Sequence, residues 1–235
     1  MRSLNKNYSR KKKRFFEFVA KILYFCDKFL RYNNMQSIDD KIFESVRKCG
    51  RGTVFTPSRF SQYGTAVAVQ KALERLTDEG RIIRVARGIY CYPKTDTDLG
   101  LGVIYPGFDE IAQAIAKRDK AQIVPAGAYA VNKLGLSTQV PMNVVFLTSG
   151  ESRKVVIRNG RGIHFKHAAP RNFAFENSFA QLLSVALREI GKDNLDSEQK
   201  NTLKRILHEQ PRISEKDLNL MTVWIRKLIN ELYDE

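Results

Sequence analysis

Cysteine and histidine are scarce in this 235-residue chain, with three of each. The cysteines, at positions 26, 49 and 91, cannot all pair and show no C-x-x-C spacing. That argues against a disulfide scaffold, a zinc ribbon or a thioredoxin-like site, and for a reducing, cytoplasmic setting. Neither Cys49 nor Cys91 has a histidine within forty residues, and the carboxylates Asp109, Glu110, Glu151 and Glu176 are scattered. No nucleophile with its base and no nuclease-like acidic set can be assembled from them. His164 and His167 lie three apart in a segment read as a strand, where they point to opposite faces and do not share an ion. Gly100-x-Gly102 lacks the further glycines and the Lys-Ser/Thr that a dinucleotide fingerprint or a phosphate loop requires. A run of about 18 uncharged apolar residues is missing too, so no membrane span is expected. The expectation is a protein without catalytic activity, metal or cofactor.

Acidic residues are few as well: 25 Asp+Glu face 40 Lys+Arg, for a net charge of +15. An excess of that sign points to a polyanionic partner, nucleic acid first and an anionic membrane surface second. With 43% hydrophobic residues the chain can bury a core, and its length allows one large or two small domains. The charge is uneven, because residues 1–34 hold ten Lys/Arg against two acids. Within them Arg10-Lys-Lys-Lys-Arg14 precedes Phe15, Phe18, Val19, Ile22, Phe29 and Leu30 at near-helical spacing, a basic amphipathic arm. Glu17, Lys21, Asp27 and Lys28 interrupt the apolar stretch and argue against a signal peptide. Three readings stay open for the arm: a phosphate- or membrane-binding segment, a helix docked on its own domain, or a natural start at Met35.

From Met35 the pattern is compact. Ser37 is placed to cap a helix with Asp39 and Asp40 in its first turn and Ile38, Ile42, Phe43 and Val46 as its apolar stripe. Gly50-Arg51-Gly52 ends that helix. Thr56-Pro57 then opens a short helix to about Tyr63, and Thr65 caps a third over 66–79 with Val69, Leu73 and Leu76 inward and Gln70, Lys71, Glu74 and Arg75 outward. Two β-rich runs, Ile82–Val85 and Gly88–Tyr92, follow across Ala86-Arg87. Three helices and a hairpin spell a winged helix-turn-helix over residues 35–93. In that arrangement the third helix enters the major groove, where Gln reads adenine and Lys or Arg reads guanine, and the wing reaches backbone or minor groove. The candidate DNA-binding residues are Arg51, Thr65, Gln70, Lys71, Arg75, Arg81, Arg84 and Arg87.

Residues 94–105 read as a linker, with Thr95-Asp-Thr-Asp98, Gly100 and Gly102 between Pro93 and Pro106. Residues 106–235 read as a mixed second domain. It begins with a helix from Phe108 to Arg118 and a second helix over Pro125–Leu134 stopped by Gly135. Strands follow at Val144–Thr148, Arg153–Arg158 and Arg161–His167, with Asn159-Gly160 as a hairpin turn, then helices at 175–190, 196–209 and 218–232 with Trp224 and Leu228 as i,i+4 neighbours. The fold class is α+β: an N-terminal winged helix-turn-helix followed by a mixed α+β domain.

Several strings resemble one known group. Met35-Gln-Ser-Ile-Asp-Asp-Lys-Ile42, Gly50-Arg-Gly-Thr-Val-Phe-Thr-Pro57, Ala72-Leu-Glu-Arg-Leu76, Arg81-Ile-Ile-Arg-Val-Ala-Arg-Gly-Ile-Tyr90 with Tyr92-Pro93, and above all Pro125-Ala-Gly-Ala-Tyr-Ala-Val-Asn-Lys-Leu-Gly-Leu-Ser-Thr-Gln-Val-Pro141 are similar to AbiE-type antitoxins of bacterial type IV toxin–antitoxin systems. The likeness covers about 35–230 and leaves the arm outside. It implies a winged helix that represses its own operon at a promoter inverted repeat in double-stranded DNA. It also implies a C-terminal domain that counteracts a nucleotidyltransferase-like toxin without a stable complex. Thr65, Gln70, Lys71, Arg75, Arg84 and Arg87 carry the DNA-binding role over, and Lys133, Arg153, Lys154, Arg158, Lys166 and Arg171 are the basic candidates for the antitoxin surface. A stand-alone winged-helix regulator whose second domain binds a ligand or dimerises is the alternative, and a nucleic-acid-processing enzyme is a third.

Overall fold

The computed structural model describes residues 36–96, 100–157 and 160–234. The basic arm at 1–34, Arg158, and Asn159 of the expected hairpin turn lie outside the described residues. The protein is mixed α+β. Helix α1, Ile38–Lys48, starts where the Asp40 N–H donates to Ser37 Oγ, with Asp39 and Asp40 at its positive end and Arg47 and Lys48 at its negative end. A 3-10 turn spans Pro57–Tyr63. Thr56 stands at its N-cap without capping it; its hydroxyl is spent on Ser58 Oγ, 2.9 Å away. Helix α2, Ala66–Asp78, is capped by Thr65, which accepts from the Ala68 N–H. Ile42, Val46, Phe60, Val69, Leu73 and Leu76 from these three segments meet in one core.

Strands β2, Ile83–Ala86, and β3, Ile89–Cys91, form the expected hairpin. A two-residue strand β1, Val54–Phe55, too short to show any alternation, pairs antiparallel with β3 and makes the sheet order β1-β3-β2. The central strand faces two cores. Tyr90 joins the helices, whereas Ile89 and Cys91 join a second cluster with Ile111, Ala112, Ile115, Val144, Phe146, Ile163 and Phe165 of the C-terminal half. A bulge between Arg84 and Ala86 lets two successive side chains, Val85 and Ala86, turn into that second cluster. The two halves of the chain therefore share buried apolar surface.

The segment expected as a linker is itself paired: β4, Lys94–Asp96, and β5, Gly102–Ile104, form an antiparallel ribbon. Helix α3, Phe108–Asp119, follows as expected, with Ile111 and Ile115 buried. The expected helix over Pro125–Leu134 needs correction. Ile123–Ala126 is strand β6, and helix α4 covers only Ala128–Lys133. Proline is tolerated in β6 because that strand lies at the edge of its sheet, where a missing N–H breaks no ladder. Gly127 makes the turn between strand and helix at φ +61° and ψ −155°, a conformation open to glycine alone.

Strands β7, Asn143–Thr148, β8, Arg153–Val156, and β9, Gly162–His167, complete a sheet of order β6-β7-β9-β8 in which β7 and β9 run parallel. Antiparallel pairing of β8 with β9 gives the expected hairpin, closed by the Ile157 N–H on Arg161 O at 2.8 Å. Alternation splits the sheet: Val144, Phe146, Ile163 and Phe165 face α3 and the N-terminal hairpin, whereas Val145 and Leu147 face the C-terminal helices. Those helices are α5, Ser178–Ile190, α6, Ser197–Glu209, α7, Glu215–Leu220, and α8, Val223–Asp234. The single helix expected over 218–232 is broken, because buried Met221 takes an extended backbone between α7 and α8. Trp224 and Leu228 both pack against the core built from Leu183, Leu187, Leu203, Leu207, Ile225 and Ile229. Buried Asp217 ties α7 to the entry of α5 by accepting from the Glu176 and Asn177 N–H groups at 2.9 and 3.0 Å. Asp217→Ala leaves both donors without that partner, so a loss of about 2–4 kcal/mol is expected in urea unfolding.

Candidate nucleic-acid interface

Helix α2 buries Val69, Ala72, Leu73 and Leu76, and that fixes which residues look outward: Val67, Gln70, Lys71 and Glu74. Gln70 Nε2 lies 3.4 Å from Glu74 Oε1, a loose contact that aligns the amide along the helix face. Lys71 makes no ion pair with any described carboxylate. Thr65 is occupied as the cap of the helix. At the hairpin, Arg84 and Arg87 are exposed and likewise unpaired among the described residues. Gly88, at φ +70°, closes the two-residue turn beside Arg87.

The remaining three candidates are held by the protein. Arg75 makes a bidentate pair with Asp39, at 2.6 and 2.7 Å, that ties α2 to α1. The Arg75 guanidinium holds the Asp39 carboxyl below its ordinary value. A depressed carboxylate pKa stabilises the fold above the unfolded value near 4 and loses that contribution as pH falls through the folded one. Asp39→Asn is therefore expected to lower stability slightly at pH 7, where the pair is intact, and to leave it unchanged in strong acid, so that the acid limb of a stability profile flattens below about pH 4. Arg81 lies over the Phe43 ring, 3.7 Å from its centroid, and reaches Glu79 at 3.4 Å. Arg51 donates to Pro93 O at 3.1 Å above the Tyr92 ring. Of the candidate cations, Lys71, Arg84 and Arg87 are the ones without a partner among the described residues.

Sequence reasoning passed over two residues here. Val67 is 65% exposed on the first turn of α2, an apolar contact of the kind that meets a thymine methyl. Its spacing from Gln70 and Lys71 puts it on their face and was the signal that could have found it. Arg59, exposed on the 3-10 turn, had no such signal; it donates to Cys49 Sγ at 2.6 Å and faces α3 across a groove.

The five described basic positions of the C-terminal half do not share one face. Lys133 pairs with Asp109 at 2.9 Å, Arg153 pairs with Asp119, and Arg171 donates to Leu220 O at 3.1 Å. Arg158 lies outside the described residues. Lys154 and Lys166 stay exposed, and with His164 they share the sheet face that carries Val145 and Leu147, as the pairings Lys154↔His164 and Leu147↔Lys166 require. His167 points to the other face, where its Nδ1 meets Gly150 O at 2.8 Å. Burial pushes the Cys91 thiol up to about 11, which leaves it a core side chain rather than a nucleophile.

Among the described residues no group of three His, Cys, Asp or Glu is arranged to hold a metal, and no helix is long and apolar enough to cross a membrane. Fold and surface together define an α+β protein with a basic helix-and-hairpin face built on a shared core. The chain belongs to DUF6088, a family of unknown function whose profile matches residues 41–215, from within α1 to the start of α7. No curated protein matches it.

Proposed function

We propose that residues 35–93 are a winged helix-turn-helix that binds duplex DNA at an inverted repeat upstream of its own gene. The whole chain is then a non-enzymatic, autoregulating antitoxin that counteracts a nucleotidyltransferase-like toxin in the bacterial cytoplasm without a stable complex. One contrast carries the DNA half of the reading: Lys71, Arg84 and Arg87 stand exposed and unpaired among the described residues, while Arg51, Arg75 and Arg81 of the same region are tied into the protein. The order of elements supports it too, since α1, the 3-10 turn, α2 and the β1-β3-β2 sheet supply the parts a winged helix needs. In that geometry α2 lies in the major groove with Val67, Gln70 and Lys71 toward the base edges, and the hairpin brings Arg84 and Arg87 to the backbone or minor groove. The toxin half rests on the resemblance to AbiE-type antitoxins, most specific in the Pro125–Pro141 string that holds the Gly127 turn and α4.

Footprinting on the DNA upstream of its own gene tests autoregulation. Protection of an inverted repeat is expected, and no protected site in that promoter sinks it. Deleting residues 1–34 removes ten cations and two acids. Nonspecific DNA binding should weaken, and its salt dependence should flatten by about 0.9 in log–log slope for each phosphate the arm neutralises. An unchanged slope shows that the arm does not touch DNA.

A ligand-responsive regulator without a toxin is the second reading. A cavity of about 270 Å³ beside Gly127, with Asn143, Lys166 and Glu189 on its wall, favours it. A nucleotidyltransferase reading frame beside the gene, and growth rescue when the two are co-expressed, decides for the antitoxin.

A further inference from the structure

A groove of about 500 Å³ runs between the N-terminal helices and α3. One wall is the start of the 3-10 turn, with Thr56, Ser58 and Arg59; the other is the C-terminal half of α3, with Ala114, Lys117 and Arg118, and the residue that follows it, Lys120; Val54 and Phe55 complete the lining. Among the described residues four cations line it and no carboxylate does. The nearest acid in sequence, Asp119, is already shared between Arg118, at 2.9 Å, and Arg153 of β8. Two guanidinium groups on one carboxylate leave this corner with positive charge to spare, and burial together with the Arg118 charge holds the Arg153 pKa below its usual value. Lys117 and Lys120 have no ion-pair partner among the described residues.

Cations in the last turn of a helix answer the helix dipole, and that accounts for part of the cluster. It does not account for Arg59. That residue comes from a different element, far away in sequence, and its guanidinium donates to the Cys49 sulfur rather than to a carboxylate. Nor does it account for Ser58, which adds an exposed hydroxyl to the same wall. A hydroxyl, a guanidinium and two ammonium groups along an open trough match a phosphodiester chain, not a compact anion. The place in the fold agrees, because in a helix-turn-helix the helix before the recognition helix crosses the DNA backbone, and here that element is the 3-10 turn.

We infer that the groove between the Pro57–Tyr63 turn and the end of α3 is a phosphate-backbone site for duplex DNA, gripped by Arg59 from one side and Lys117 and Lys120 from the other. The C-terminal half then takes part directly in DNA binding, and its docking on the β1-β3-β2 sheet sets the width of the grip. The inference rests on the DNA-binding reading above.

The test uses the full chain and a fluorescein-labelled duplex of random sequence, since phosphate contacts are blind to sequence. Lys117→Ala combined with Lys120→Gly removes both ammonium groups without a folding cost: Lys117 is exposed, and Lys120 sits at φ +53°, where glycine is preferred. Anisotropy titrations across a salt series should show weaker binding and a log–log salt slope shallower by about 1.8, as two phosphates are no longer neutralised. Arg59→Ala should weaken binding further, while Arg59→Lys should hold it near the parent. A second double variant, Lys71→Ala with Arg84→Ala, reports on the winged-helix face alone. If it loses binding while the Lys117/Lys120 variant keeps the parent affinity and slope, the groove does not touch DNA and the winged-helix reading stands. If the unmodified chain shows no salt-dependent binding, both fall together.

Discussion

A fragment beginning at Pro106 is expected to lose cooperative folding. Without the N-terminal half, the face of α3 and of the sheet that carries Ile111, Ile115, Phe146 and Phe165 is stripped of Val85, Ala86, Ile89 and Cys91. Burial of a Val or Ile side chain is worth about 1.5–3 kcal/mol, so the four together contribute on the order of 4–8 kcal/mol. A domain of this size has about 5–15 kcal/mol of net stability to lose. The fragment should therefore bind a hydrophobic dye and show a broad urea transition at a much lower midpoint than the full chain. Ile89→Ala in the full chain is the single-site form of the same experiment, with an expected loss of about 2–5 kcal/mol for a side chain buried on β3. A fragment that unfolds as sharply and as late as the full chain shows instead that the two halves fold independently. In that case the fragment is expected to retain growth rescue against the cognate toxin.

The triple variant Lys71→Ala, Arg84→Ala, Arg87→Ala is expected to abolish operator binding while the protein stays folded. All three side chains are exposed and unpaired among the described residues, so each should change stability by no more than about 0.5 kcal/mol. Removing a side chain that reads a base weakens specific binding by about 1–3 kcal/mol, and removing one that meets a phosphate weakens operator and random DNA alike. Arg75 is left in place, since removing it would strip Asp39 of its partner and mix a structural change with a binding one. On the antitoxin reading, growth rescue against the cognate toxin should survive in this variant. Loss of rescue by the folded triple variant would mean that DNA binding is part of neutralisation.

Much of the local architecture was legible in the residues. Ser37 before Asp39-Asp40, Thr65 before a stripe of Val69, Leu73 and Leu76, and Ile111 with Ile115 mark helices because capping and period are properties of adjacent residues. The strands around 144–148 and 162–167 announced themselves by β-branched and aromatic runs. Short pieces did not. Val54–Phe55 has two residues and no period, and Pro125 inside β6 reads as a breaker until the strand is known to be an edge. The broken helix at Met221 also escaped, because each half continues the apolar pattern of the other.

By itself the sequence determined the helices at 38–48, 66–78 and 108–119 with the caps Ser37 and Thr65, the hairpin, the α+β class, the strong positive charge and the residues able to carry it. Tertiary structure decided which of those cations are free. Asp39 stands 36 positions before Arg75, and Phe43 lies on a different helix from the loop that holds Arg81, so no local rule announces either contact. It also decided that the hairpin belongs to two cores. The unbroken apolar run Ile89-Tyr90-Cys91 was the one trace of this, since a strand buried on both faces loses its alternation, but which elements cover each face depends on packing across the whole chain. Arg59 faces Lys117 and Lys120 for the same reason: the shared core brings their elements to opposite sides of one groove.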